Sequence, residues 1–312
     1  MYDVIIIGAG PAGMTAALYA SRSNLSVLMI ERGAPGGQMN NTAEVENYPG
    51  FDSIMGPELA YKMYESVSKF GTENAYGIVQ DIQDHGDYKE VICEDTTYKG
   101  KTIIIATGCD HRKLGVKGEE EFAGRGVSYC AVCDGAFFRN RRLVVVGGGD
   151  SAVEEAIYLT QFASEVVIVH RRDQLRAQKI IQDRAFANEK ISFIWDTVVE
   201  EIVGNEMVMT GVQLRNVKTN EVSETDANGI FIYVGLDPLT EPFKKIGLTN
   251  EAGWIETDQD MKTAIPGIYA IGDVREKTLR QITTAVGEGG IAGQEVYKYL
   301  EALETPEAIE QK

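Results

Sequence analysis

The chain has 312 residues, 44% hydrophobic and 25% charged, a globular composition with enough apolar material for more than one core. Its formal charge of −17 repels nucleic-acid phosphates and anionic lipid, so a role on either needs a local basic patch, and only the short "HRRDQLR" at 170–176 resembles one. The opening "MYDVIIIGAG" enters a strand at once, without the parts of a secretory signal, and no apolar run approaches the roughly 18–20 residues that span a bilayer. These features predict a cytoplasmic protein, where thiols stay reduced and a close cysteine pair is more often catalytic or metal-binding than structural.

Residues 3–32, "DVIIIGAGPAGMTAALYASRSNLSVLMIER", predict strand, turn, helix and strand. Val4 to Ile7 form the continuous apolar run of a buried parallel strand. Gly8, Gly10 and Gly13 make G-x-G-x-x-G, and the Ala-rich stretch 14–20 favours a helix. The glycines serve a tight turn, close approach of backbone to a pyrophosphate, and close helix–strand packing; the helix start offers free N–H groups to the phosphate. The second strand, Val27 to Ile30, ends in Glu31, 23 positions after Gly8, where a carboxylate accepts from a free ribose 2′-hydroxyl.

Between this unit and its repeat, "KTIIIATGC" (101–109) predicts another buried strand, ending in Ala106, Thr107 and Gly108. Cys130 and Cys133 follow in "CAVCDG". Zinc needs two further ligands at compatible spacing, and Cys93, Cys109, His85, His111 and His170 form no second C-x-x-C or H-x-x-x-H. The pair is then a redox dithiol or two buried thiols. In a C-x-x-C pair one thiol commonly has a lowered pKa, which suits attack on a disulfide, and a neighbouring carboxylate such as Asp134 is a candidate proton carrier or a helix cap. Cys93 and Cys109 sit in strand-like surroundings and are expected to be small buried hydrophobes.

The strand–turn–helix pattern returns at 141–176. Leu143 to Val146 are the strand, Gly147, Gly149 and Ala152 form G-x-G-x-x-A, and 153–162 is the helix. The next strand, Val166 to Val169, ends in His170, Arg171 and Arg172, with Arg176 beyond, where the first unit has its carboxylate. Guanidinium forks match a 2′-phosphate bidentately. Opposite 2′ preferences imply two different dinucleotides, and FAD with NADPH fits, because two hydride donors facing each other do no chemistry.

Farther on, "GIFIYVG" (229–235) predicts a strand before the proline-marked loop "LDPLTEP", and "GIYAIGDV" (267–274) predicts a strand ending in Gly272 and Asp273, the latter suited to a ribityl hydroxyl. "LRQITTAVGEGGIAGQEVYKYLEAL" predicts a terminal helix interrupted by glycines, before a fraying tail. The expected fold is α/β, with two Rossmann-like three-layer dinucleotide-binding domains and the NADPH domain inserted into a discontinuous FAD domain. The boundaries are 1–113 and 239–312 for FAD and 114–238 for NADPH, with crossings at 114–126 and 235–242.

Taken in order, "GAGPAG", "GGQMNNTAEVENYPGF", "IIIATG", "CAVCDGAFF", "GGGDSAVEEA", "HRRDQLRA", "YAIGDV" and "LRQITTA" resemble the bacterial low-molecular-weight thioredoxin reductases over essentially the full length. The resemblance implies a homodimer with one FAD per subunit, NADPH as donor and the disulfide of thioredoxin as acceptor. It implies flavin contacts from Pro11, Ala12, Arg32, Asn47, Arg280, Gln281 and Ile282, from Gly36, Gly37 and Gln38 near the diphosphate and ribityl region, and from Glu44 to Gly50 along the flavin. It also places Asp150 and Ser151 at the NADPH turn. Cys133 is implied as the sulfur that meets the flavin, Cys130 as the thiol that attacks thioredoxin, and Asp134 as proton donor and acceptor. Where the family often carries a third aromatic after "CDG", this chain has Ala136, then Phe137 and Phe138, so the thioredoxin-facing surface differs in detail.

Competing readings are a disulfide-forming oxidase, a ferredoxin–NADP reductase and a non-catalytic sensor of NADPH level. The intact "HRRDQLR" opposes the first and the dithiol the second. Because the cysteines and the NADPH turn share one domain while the flavin lies in the other, the sequence order predicts domains that alternate.

Overall fold

Continuous apolar runs become central parallel strands because such strands are covered on both faces. A computed structural model of the chain describes residues 1–42 and 45–304, so the Glu44 expectation and the reading of the tail from 305 lie outside the described residues. The chain forms two compact units, Met1–Asp110 with the chain from Asp237, and His111–Leu236. The second is an insertion within the first.

In the first unit, parallel strands run in the order Glu73–Tyr76, Val27–Glu31, Tyr2–Ile7, Thr97–Ile105, with Ile268–Ala270 also pairing parallel to Thr97–Ile105. Register is fixed by the buried residues: Ile5 lies between Leu28 and Ile103, and Ile7 between Ile30 and Ile105. A one-residue slip would exchange the two apolar faces. The strands Val79–Asp84 and Lys89–Cys93 extend the sheet as an antiparallel meander that sequence patterning did not single out. One face buries Met14, Ala17 and Ile6 with the helices, and the other buries Ile5, Ile103 and Phe243. Each fully buried Val, Leu or Ile side chain contributes about 1.5–3 kcal/mol.

The terminal helix corrects one expectation. Ile282–Glu304 is continuous, and its glycines do not interrupt it. A Cβ at Gly289 would stand 2.4 Å from the Ala12 carbonyl oxygen, and one at Gly293 would stand 2.8 Å from that of Ala16. The glycines let this helix lie directly on helix Pro11–Arg22, where tertiary packing outweighs their low helix propensity.

The second unit has the parallel order Ile191–Ile194, Glu165–Val169, Arg142–Val146, Gly229–Ile232, Val127–Ser128. Helices Asp150–Leu159 and Lys179–Phe186 bury one face, and Val144, Val167 and Ile230 bury the other with the antiparallel strands Thr197–Gly204, Met209–Asn216 and Val222–Asp226. That meander is the third layer. The first crossing comes before residue 114, at Asp110–His111, and 114–126 folds inside the second unit. Glu119, 2% exposed, accepts from the Leu114 and Gly115 amides at 2.9 and 2.7 Å and from the Tyr129 hydroxyl at 2.8 Å. Such multiple hydrogen bonding is what makes a buried carboxylate tolerable, and it ties the segment down.

Candidate functional site

In the first unit, Gly8 has φ 106°, and a Cβ there would stand 2.4 Å from the Ala106 carbonyl oxygen, so turn and neighbouring strand require glycine. Gly10 differs, because a Cβ there would meet nothing within 4 Å. Internal packing does not demand glycine at Gly10, and the open space there suits close approach of a ligand. Helix Pro11–Arg22 begins at Gly10 with no side-chain cap, leaving its first N–H groups for an anion. Glu31 accepts from the Ala9 amide at 2.8 Å and the Gly33 amide at 3.0 Å, which holds its carboxylate beside the turn with lone pairs to spare.

Other expected residues come from distant segments. Gly36 donates to the Ala9 carbonyl at 2.8 Å, which draws Gly36, Gly37 and Gln38 to the turn. Gln38 donates to Asp110 at 2.9 Å, and Arg32 forms an exposed 3.8 Å ion pair with the same carboxylate. The Ala106 amide donates to the Ile7 carbonyl at 2.8 Å, Thr107 to the Leu239 carbonyl at 2.8 Å, and Gly108 accepts from Leu239 at 3.1 Å. Asn47 donates to Gln281 at 3.1 Å across 234 residues. Arg280 is used internally: it donates to the carbonyls of Asp273, Arg275 and Lys277 and lies 4.0 Å from the Trp254 ring centre. Ile282 begins the terminal helix, and Gly272, at φ 73°, places Ala12 2.9 Å from where its Cβ would be. Asp273 has a buried oxygen, Oδ1, with no hydrogen-bond partner among the described residues. An orphaned acceptor, an uncapped helix start and an open glycine fit a dinucleotide carrying sugar hydroxyls.

In the second unit, Gly147 at φ 149° would clash through Cβ with the Tyr233 carbonyl and the Ala152 methyl, at 2.6 and 2.7 Å. Gly149 again faces open space, and helix Asp150–Leu159 starts there uncapped. The basic loop folds back onto the turn: Arg176 and Ala177 amides donate to the Gly148 carbonyl at 2.6 and 3.1 Å. Asp150 accepts from the Gln178 amide and side chain at 2.7 and 3.2 Å, so its role is to hold that loop; Ser151 is exposed beside it.

The structure divides the basic cluster. His170 is 5% exposed, and a Cβ on Gly148 would stand 2.4 Å from its ring, so it forms the floor of the turn. Burial and the nearby arginines hold its pKa below the ordinary value, and Nε2 has no partner among the described residues. Arg171, Arg172 and Arg176 are exposed, and no ion pair among the described residues engages them. Three open guanidinium groups in a chain of charge −17 present local positive charge suited to an anion.

Cys130 and Cys133 form a disulfide, with Cα atoms 5.3 Å apart, at the start of the short helix Ala131–Asp134. The Cys133 amide donates to Cys130 Sγ at 3.2 Å, an interaction that favours a thiolate at Cys130 once the bond is opened. Asp134 is half-buried; burial pushes its pKa up, while Ser128, donating to Oδ2 at 2.6 Å, opposes the shift. Ser128 Oγ also accepts from the Cys130 amide at 3.1 Å, so one hydroxyl links the disulfide backbone to the carboxyl. Phe137 is exposed, whereas Phe138 turns inward against Phe231 with ring centres 5.5 Å apart.

Three residues beside the disulfide escaped sequence reasoning. Ser128 closes the contact just described. Tyr233, just past the end of the Gly229–Ile232 strand, accepts from the Ala131 amide at 2.7 Å, and burial followed by nearby Glu155 raises its pKa. Glu155 has a buried Oε2 with no hydrogen-bond partner among the described residues, and burial with Glu154 nearby pushes its pKa up to about 7. Only a carboxylate within the apolar helix pattern marked Glu155 in the sequence. Cys93 and Cys109 are buried free thiols, Cys109 pushed up to about 12 by burial and Cys93 also raised. Among the described residues no group of three or more His, Cys, Asp or Glu can hold a metal.

A disulfide carried by a nucleotide-binding unit, inserted in a chain with a second nucleotide turn, defines a nucleotide-dependent disulfide oxidoreductase. The family described as pyridine nucleotide-disulphide oxidoreductase matches residues 2–289. A thioredoxin reductase of Listeria innocua is 62% identical over 310 residues, covering 99% of this chain and 97% of its own. The crystal structure of thioredoxin reductase from Streptococcus pyogenes has a TM-score of 0.93 at 67% identity, covering 97% of this chain and 99% of that one. That from Lactococcus lactis, in the FR conformation, has a TM-score of 0.68 at 63% identity, covering 96% and 99%. The chain belongs to the thioredoxin reductase family within the pyridine nucleotide-disulphide oxidoreductases. Membership implies a flavin and a nicotinamide cofactor.

Proposed function

We propose that the chain is an NADPH-dependent thioredoxin-disulfide reductase that carries FAD on the first unit and NADPH on the second. The observation that supports this most is the Cys130–Cys133 disulfide, with Asp134 bonded to Ser128 beside it, in the unit that holds Arg171, Arg172 and Arg176 at its nucleotide turn. Bound FAD would supply two-electron transfer between NADPH and the disulfide. In this reading Glu31 takes the free ribose of FAD, and the open arginines take the 2′-phosphate of NADPH. Gly149 and the uncapped helix behind it take the pyrophosphate.

Cys133 receives the electron pair as the S–S bond breaks, and Cys130 leaves as a thiolate favoured by the Cys133 amide. Asp134, kept protonated to higher pH by burial, supplies the proton that completes the dithiol. Cys130, its proton taken by Asp134, then attacks the thioredoxin disulfide, and the thioredoxin sulfur that leaves receives that proton; Cys133 attacks Cys130 Sγ, re-forming the Cys130–Cys133 bond, and the second thioredoxin sulfur leaves with the Cys133 proton. Exposed Phe137 lies on the docking side of this step.

Cysteines and NADPH turn share one unit, so each must reach the flavin in its turn, and we infer that the units alternate. The enzyme is a cytoplasmic homodimer in this proposal. No helix among the described residues is long and apolar enough to cross a membrane.

Steady-state oxidation of NADPH with oxidised thioredoxin tests the reading. Multiple turnovers are expected; a single stoichiometric reduction followed by arrest would indicate the NADPH sensor instead.

A further inference from the structure

At the carboxyl end of strand Ile268–Ala270, a charged row occupies a place that the dinucleotide turn does not explain. Glu288, on helix Ile282–Glu304, accepts from the Gly272 amide at 2.6 Å and lies 2.9 Å from Arg275 Nη1 and 3.1 Å from Lys277 Nζ. Lys277 Nζ also reaches Thr284 Oγ1 at 3.3 Å and stands 3.4 Å from Asp273 Oδ1. Its side chain is only 10% exposed, and that of Glu288 13%. Lysine ordinarily keeps its ammonium in water, so a lysine held this deep between two carboxylates is there for the charge. Arg280 does not duplicate it, since its donors go to backbone carbonyls.

Lys277 Nζ stands 3.4 Å from Asp273 Oδ1, a long contact that leaves that oxygen a lone pair able to accept from a ligand. We propose that Lys277, itself held by Glu288, is a positioning residue for flavin binding that keeps Asp273 an open acceptor for a ribityl hydroxyl. This rests on the reading that the first unit carries FAD. The physical reason is desolvation: a half-buried carboxyl with no cation beside it is protonated more readily and then loses its strength as an acceptor. Burial pushes the Asp273 pKa up; Lys277 is the largest opposing influence, Arg280 helps, and Glu288 adds to the rise. The Cys109 thiol also faces Asp273 and, pushed up to about 12, stays neutral through the range tested.

The test is the dissociation constant of FAD from the full-length protein, by ultrafiltration with flavin fluorescence, between pH 6 and pH 9. Wild type should bind FAD with little pH dependence. Lys277→Gln should weaken binding by about tenfold, more toward pH 6 than toward pH 9, because loss of the cation moves the Asp273 pKa farther in the upward direction that burial already gives it. Lys277→Arg should restore the wild-type profile. Lys277→Met, of similar length and without the charge, should show the same acid-end loss, and circular dichroism of both variants separates a folding failure from a binding loss. An unchanged constant in both variants, or an equal loss at every pH that Arg does not rescue, overturns the proposal. Failure of wild type to take up FAD overturns the flavin reading beneath it.

Discussion

The two glycine turns of this chain use the same backbone device and diverge at the end of the following strand. In both, a glycine with positive φ fits against a neighbouring strand, and a second glycine faces open space at an uncapped helix start. After the first turn, Glu31 is anchored by two amides; after the second, His170 drops beneath Gly148 and the arginines stay open. In the proposed reading, the difference teaches that the βαβ frame supplies the phosphate cradle, while one short segment selects the sugar. Only the second unit adds a redox centre, so it must handle protons as well as nucleotide.

The strongest way to separate the units is Cys133→Ser. The variant should lose thioredoxin reduction to background while its flavin is still reduced by NADPH, measured by stopped-flow absorbance; retained turnover would detach the disulfide from the relay. Next comes Asp134→Asn. Removing a general acid costs about 100-fold or more, so the disulfide-reduction step should slow by that order. Because burial raises the Asp134 pKa, the wild-type rate should be high at low pH and fall as pH rises through that value. The Asn variant should be slow and flat over the same range.

At the proposed sugar-selecting segment, Arg171→Ala with Arg172→Ala should cut the preference for NADPH over NADH by about 100-fold or more in kcat/KM, since charge-assisted hydrogen bonds contribute about 1.5–3 kcal/mol each. An unchanged ratio would remove the 2′-phosphate assignment. The smallest effect belongs to Ser128→Ala. Losing a donor at 2.6 Å costs about 1 kcal/mol, and should move the descending limb of the Asp134 profile to higher pH by under one unit.

Local spacing made much of this legible. Gly8, Gly10 and Gly13, Glu31 and the cysteine pair are near neighbours whose chemistry depends on offsets along one turn. What stayed hidden depends on closure of the fold. Tyr233 reaches the Ala131 amide from 102 residues away, and Asn47 meets Gln281 from 234. The antiparallel meanders were missed because their strands are partly exposed and charge-rich, as in "VQDIQD" and "VSETD". The glycines of the terminal helix misled because propensity is local, whereas the close approach that requires them comes from helix Pro11–Arg22.

The central claim is that electrons pass from NADPH through a flavin on one unit to a disulfide on the other. Anaerobic titration with NADPH, followed by flavin absorbance in wild type and Cys133→Ser, tests it most directly. The account predicts that wild type takes up electrons for both flavin and disulfide, while the variant stops after the flavin alone. Equal uptake by the two proteins would contradict it.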